Sequence, residues 1–168
     1  WAGQKAGRVR LIAGTVTPPG GGAPKVYAGV HIALEKDWKT YWRQPGEAGV
    51  PPGFDWAGST NVADARVLYP TPQRLPEAGM TSLGYKRDVV FPVEVTPKDP
   101  GQPVELKLAI EYGVCKDICI PEGADLSLEL AAATISMPPT AGAAALAAAG
   151  VPKFRSMVLS YIALLLDG

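Results

Sequence analysis

Three kinds of residue are scarce in this chain. Among its 168 residues there are only two cysteines, one histidine and three methionines. A structural zinc site takes about four ligands, so two cysteines and a remote His31 make a poor zinc centre. An excess of charge is also missing: Lys+Arg and Asp+Glu number 16 each, and the net charge is zero. Phosphate binding draws on surplus Lys and Arg, so nucleic acid is excluded as a natural partner. Long apolar runs are absent too. The longest, Met157 to Leu166 with one Ser, is shorter than the roughly 20 residues that cross a bilayer. The front shows no secretory leader, and the chain opens on Trp1 rather than Met, which points to a processed product or a fragment.

What is present suits one compact, strand-rich domain. Hydrophobic residues make up 47% and charged residues 19%, too apolar for a disordered chain. The length allows one core and a short appendage. The 19 Gly and 17 Pro are spread out rather than clustered, as in many short strands joined by turns. Val9 to Val16 reads as a strand. In Val26 to Leu34, Val26, Ala28, Val30, Ile32 and Leu34 share one face, a period of two that predicts a second strand. Between them lies the Gly-rich stretch 18–24. No helix and no Gly-Lys-Ser/Thr follows it, so it reads as a hairpin turn and not a phosphate loop.

Residues 37–58 are crowded with aromatics, prolines and glycines and keep no single period, so a structured loop between short strands is expected. Trp38, Tyr41, Trp42, Phe54 and Trp56 either plug the end of a core or line a groove for a peptide or sugar; the plug is favoured. Asn61 to Leu68 and Val89 to Val95 read as strands. The Pro-rich segment 69–85 between them reads as a long loop, and loops of that length in a compact domain are often functional. Val104, Leu106, Leu108, Ile110 and Tyr112 then alternate with mostly charged residues, and Leu126, Leu128 and Leu130 alternate on the return. This is the clearest hairpin of the sequence, and an apolar face on both arms predicts an antiparallel sandwich. After Thr134 a Pro/Ala-rich linker leads to a short apolar tail with helical tendency, or to the truncated lead-in of a membrane segment.

The connection of that hairpin carries both cysteines, Cys115 and Cys119. An extended strand would hold them about 13 Å apart, beyond disulfide reach, whereas a helical turn brings Cα atoms to about 6 Å. A bridge between them therefore requires a tight turn, which Pro121 would help to end. The loop it closes is so short that its contribution to stability is small. That moves the reading from a staple toward chemistry. Thiol–disulfide exchange needs an accessible sulfur, and a nearby cation such as Lys116 favours the thiolate, with Asp117 and Glu122 opposing it. Two other readings stay open. One is a non-catalytic binding module with a structural disulfide. The other is a Cu(I) site on the two thiolates, with Met80 or Met137 as a soft ligand. His31, alone in an alternating strand, is read as structural.

The stretches His31-Ile-Ala-Leu, Trp38-Lys-Thr-Tyr-Trp-Arg-Gln-Pro-Gly, Pro51-Pro-Gly-Phe-Asp-Trp, Gly84-Tyr85 and Val114-Cys-Lys-Asp-Ile-Cys-Ile-Pro resemble the periplasmic N-terminal domain of DsbD-type thiol:disulfide interchange proteins, nearest to the ScsB-like branch linked to copper tolerance. The resemblance covers roughly residues 8–133. It implies an all-β, immunoglobulin-like sandwich over residues 1–133 with a long cap loop, followed by the linker and tail of residues 134–168. It also implies a periplasmic protein-disulfide reductase module that needs no cofactor and no metal and belongs to an inner-membrane protein. Electrons would arrive from the membrane-embedded or thioredoxin-like domain of the same protein and pass to thioredoxin-fold partners, as in cytochrome c biogenesis. Cys119 would attack and Cys115 resolve, and a cap at Met80 to Tyr85 would shield the sulfurs through Leu83 or Tyr85. The cysteines stand closer together here than in the better-known DsbD domain, and the cap segment lacks that domain's acidic residues.

Overall fold

The structure, a computed structural model, describes residues 1–2, 6–16, 25–77 and 79–130. The Gly-rich turn at 18–24 and the tail at 134–168 lie outside the described residues. Ten strands follow in order: β1 (Gly7–Val16), β2 (Lys25–Leu34), β3 (Lys39–Gly46), β4 (Gly53–Asp55), β5 (Val62–Val67), β6 (Gln73–Glu77), β7 (Met80–Lys86), β8 (Asp88–Pro97), β9 (Val104–Cys115) and β10 (Cys119–Leu130). They form two antiparallel sheets. One runs β1-β2-β8-β5 and the other β10-β9-β3-β7-β6, with β4 continuing the edge of β9 beyond β3. No helix occurs among the described residues, so none is long and apolar enough to cross a membrane.

The two sheets share one core, as an immunoglobulin-like sandwich requires. Ala28, Val30 and Ile32 from β2 and Val89, Phe91 and Val93 from β8 meet Leu106, Leu108 and Ile110 from β9. The period-two reading of β2, β9 and β10 thus identified inward faces correctly. The aromatic residues of 37–58 close one end of this core rather than opening a groove. Phe54 and Tyr69 both stand edge-on to Phe91, at 5.5 and 5.4 Å, and Trp38, Trp42 and Trp56 pack against the same cluster.

Two segments differ from the sequence expectation. Residues 69–85 do not form a free loop: they fold into the β6–β7 hairpin, turning at Gly79 with a φ of 85°. Pro72 and Pro76 obscured it, but β6 is the outer strand of its sheet, where a residue without an N–H is tolerated. Residues 39–46 form a full strand, β3, whose first three residues are all buried. Because that stretch is covered on both faces, it shows no alternation to read.

Candidate functional site

The hairpin β9–β10 ends in a three-residue turn, Lys116 to Ile118, closed by a hydrogen bond from the Lys116 N–H to the Ile118 carbonyl at 3.1 Å. Cys115 and Cys119 are direct partners across the two strands, with Cα atoms 4.1 Å apart, and are joined as a disulfide. The tight turn that the spacing demanded is present, as a hairpin rather than a helical turn. A close cross-strand pair stands about 4.5 Å apart at Cα, well inside the reach of a disulfide.

The two sulfurs live in different surroundings. Cys115 is 1% exposed, whereas Cys119 is exposed at the surface. The cause lies in the neighbours of β9. Its burial alternates from Val104 to Glu111 and then stops, with Tyr112 to Cys115 all buried. There a strap of residues 47–52, connecting β3 to β4, crosses the outward face of the strand. A Cβ at Gly113 would lie 3.0 Å from the Val50 Cβ, so the strap seats here because position 113 has no side chain. Thr40 fastens the other side by donating its hydroxyl to the Gly113 carbonyl at 2.9 Å.

Beneath the strap lies Tyr41, fully buried, with its hydroxyl 3.9 Å from Cys119 Sγ. A disulfide sulfur carries no proton, so the phenol is the donor. Gly49 rests on the Tyr41 ring at a φ of 108°, where a Cβ would come within 2.3 Å of the ring carbons. Lys39 is buried and stands directly opposite Cys115 in the register, so both side chains leave the sheet on the same face. Lys116, the cation expected from sequence, turns outward to Asp37 at 3.5 Å. Sequence reasoning missed Lys39 and left Tyr41 among the core aromatics; the motif Trp38-Lys-Thr-Tyr-Trp was the available signal.

Apolar side chains border Cys119 on two sides. Ile118 is 68% exposed at the turn and Val50 55% exposed on the strap. Val50, Pro51, Ile120 and Pro121 line a hollow of about 610 Å³ beside the sulfur, with Glu111 and Glu122 at its margin. Of the three cap residues, Met80 is exposed at the β6–β7 turn, and Leu83 is half-buried opposite Arg74. Tyr85 points into the core, edge-on to Phe91 at 5.4 Å, and donates to the Pro70 carbonyl at 2.8 Å. Strand β3 stands between β7 and β9. No hydrogen bond or ring contact among the described residues links these three to either cysteine.

Metal chemistry finds no gathered ligand set: among the described residues, no three His, Cys, Asp or Glu side chains come together. Met80 lies on β7, and Met137 lies outside the described residues. His31 sits on the outer face of the other sheet. Its Nε2 lies 3.0 Å from Asp88 Oδ1, its Nδ1 accepts from Arg10 Nε at 3.3 Å, and its ring is covered by Trp1 at 4.9 Å.

Comparison with known proteins bears on this geometry. The sequence model of the family described as "Thiol:disulfide interchange protein DsbD, N-terminal" matches residues 23–131. Among solved structures, the chain is similar to the N-terminal periplasmic domain of ScsB from Proteus mirabilis, with 32% identity and a TM-score of 0.57. That likeness covers 77% of this chain and 48% of the other, so the chain spans about half the length of that relative. The N-terminal domain of DsbD from Neisseria meningitidis, in its reduced form, is similar at 10% identity and a TM-score of 0.42, covering 73% of this chain and 83% of that one. No curated protein matches the sequence.

Proposed function

We propose, from the premise that the chain belongs to the family of DsbD N-terminal domains, that it is a periplasmic thiol–disulfide exchange module acting as a protein-disulfide reductase. The observation that carries this reading is the unequal exposure of the two sulfurs, one buried at 1% and the other open at a hairpin tip within an apolar rim. A purely structural bridge gains nothing from presenting one sulfur to solvent. An exchange centre requires it, because attack needs access and the resolving thiol must wait out of reach of competing disulfides.

In the reduced domain the Cys119 thiolate attacks one sulfur of a partner's disulfide. A Cys119–partner disulfide forms, and the other partner sulfur leaves as thiolate. Cys115, held across the hairpin, then attacks Cys119 Sγ and expels the second partner thiolate. Two electrons pass to the partner, the two protons of the dithiol end on its thiols, and the domain is left with the Cys115–Cys119 disulfide. The partner is a thioredoxin-fold protein, and re-reduction comes from the membrane-embedded or thioredoxin-like part of the same protein. The Tyr41 hydroxyl, 3.9 Å from Cys119 Sγ, can donate to that sulfur once it is ionised, and no organic cofactor is required. We assign partner contact to Met80 and Leu83 and, to Tyr85, only the support of β7 from within the core. Residues 1–133 form the exchange domain, and residues 134–168 its linker with a short apolar helix or the truncated lead-in to a membrane segment.

Equilibration of the domain in glutathione buffers, read by thiol alkylation, tests the reading. A reduction potential in the range of exchange proteins, about −120 to −270 mV, is expected; one below about −300 mV would leave the bridge as a structural disulfide.

A further inference from the structure

A shallow trough leaves the disulfide along the outward face of β9–β10. The antiparallel register sets Cys115 beside Cys119, Gly113 beside Pro121, Glu111 beside Gly123 and Ala109 beside Asp125. All of these are on one face, because paired positions two apart along each strand point the same way. The strap covers Cys115 and Gly113, and most of the remaining side chains are short, so the open floor is low. The strap and β4 raise one wall: Val50, Pro51 and Gly53 border the half nearest Cys119, and Asp55 and Gly58 border the next half.

The trough is acidic. Glu111 marks its first half, Asp55 and Asp125 its second. Neither Glu111 nor Asp125 has a hydrogen-bond or ion-pair partner among the described residues, and Asp55 uses one oxygen to accept the Ala57 N–H at 2.9 Å. Lys107 also borders the second half, but its charge is matched by Glu105 at 3.3 Å. A groove floored by small residues, beginning at a reactive sulfur and walled with unmatched carboxylates, complements an extended cationic segment.

We infer that this trough selects the partner of the exchange reaction, by holding an extended segment that carries Lys or Arg four or six residues from the partner's cysteine. The inference rests on the exchange reading above. The spacing follows from the register. Gly123, beside Glu111, is four positions from Cys119 along β10, and Asp125 is six. These steps are about 13 and 20 Å in extended chain. Parity agrees: in an extended segment, side chains at even offsets from a cysteine point to its own side, and those at odd offsets point away. Specificity thus resides in Glu111 and Asp125, beyond the two cysteines.

The test uses the reduced 168-residue protein, freed of reductant, and disulfide-linked dimers of short peptides. One peptide carries Lys four residues to either side of its cysteine, a second carries Lys three residues to either side, and a third has Glu at the four-residue positions. Each exchange rate is divided by the rate of the same protein with neutral hydroxyethyl disulfide. The first peptide is expected to exceed the second by about 3- to 10-fold at low salt, with the third slowest. The advantage should shrink above about 0.15 M salt, where screening sets in over some 8 Å. It should disappear in the E111Q/D125N variant. Equal rates for the first two peptides, or an advantage that survives in E111Q/D125N, would overturn the inference. If hydroxyethyl disulfide itself fails to react, the exchange reading falls separately. The trough is then judged by fluorescence titration of the oxidised domain with the first two peptides carrying Ser in place of Cys. Tighter binding of the four-residue version, lost in E111Q/D125N, supports it, and equal binding overturns it.

Discussion

The hydroxyl of Tyr41 lies 3.9 Å from Cys119 Sγ, although 78 positions separate the two residues. Strand β3 carries the ring under the strap, and the β9–β10 turn carries the sulfur to it. The contact couples a buried phenol to the one exposed member of the cysteine pair.

Replacing Tyr41 with Phe removes that donor and keeps the ring. A hydrogen bond to a charged group contributes about 1.5–3 kcal/mol, and sulfur at this distance lies at or below the lower end. One pKa unit corresponds to about 1.4 kcal/mol. In the reduced Y41F domain, the midpoint of Cys119 alkylation by iodoacetamide should therefore rise by roughly half a unit to one unit. An unchanged midpoint would reduce the contact to packing.

The two cysteines should differ sharply in reactivity. In the reduced domain Cys119 should alkylate at least about tenfold faster than Cys115, since access to the thiolate limits the rate. C115S should accumulate a covalent complex with a thioredoxin-fold disulfide, whereas C119S should form none. Mass spectrometry of quenched samples reads both results, and a complex formed through Cys115 would reverse the assigned roles.

Reduction should leave the fold standing. The bridge closes a loop so short that the chain-entropy relation gives about 2 kcal/mol at most. Urea unfolding with and without dithiothreitol should differ by that amount or less, with the same slope. A reduced domain that unfolds outright would mark the disulfide as a staple.

Gly49→Ala attacks the strap. The residue stands at a φ of 108° and a Cβ there would come 2.3 Å from the Tyr41 ring. The left-handed backbone alone costs about 1–2 kcal/mol, and overpacking adds about 1–3. A loss of about 2 kcal/mol or more is expected in urea titrations, together with faster alkylation of Cys115 as the cover lifts. Unaltered protection of Cys115 would show that the strap does not shield it.

On the opposite sheet, burial holds the His31 imidazole below its ordinary value of 6.5, helped by Arg10 and opposed by the hydrogen bond to Asp88. The folded state thus prefers the neutral ring. As pH falls below 6.5, the unfolded chain takes up the proton first, and stability drops until the pH passes the folded value. His31→Asn should flatten the part of the decline below about pH 6.5 that is due to this group. Parallel urea titrations of both proteins across that range check it, and identical slopes would count against a buried neutral ring.

Much of the fold was legible because half-buried strands write their faces in alternation. Val104 to Tyr112 and Leu126 to Leu130 were read as one hairpin and pair as one. What stayed hidden was covered on both faces or disguised by proline. Lys39, Thr40 and Tyr41 are all buried, so period two vanishes, and Pro76 lies within β6 where a loop was expected. The site was half legible: the cysteine spacing announced a tight turn, but nothing in one dimension brings positions 41 and 49 to position 119. The segment at Met80 to Tyr85 was read as the cover, yet Tyr85 spends its ring on Phe91, and the strap lies over Gly113 beside the buried Cys115.

The 4.1 Å separation of the two cysteine Cα atoms is set by the ladder of β9 and β10 and not by the sulfur bond alone. Once Cys119 is linked to another chain, the second thiol is therefore already at hand, at an effective concentration far above that of any free thiol, which for well-oriented groups reaches about 10⁵ M or more. Such a conjugate has a brief dwell time. Discrimination between partners must then be made during the first encounter, before any covalent tie exists, because there is little time to reject a partner afterwards.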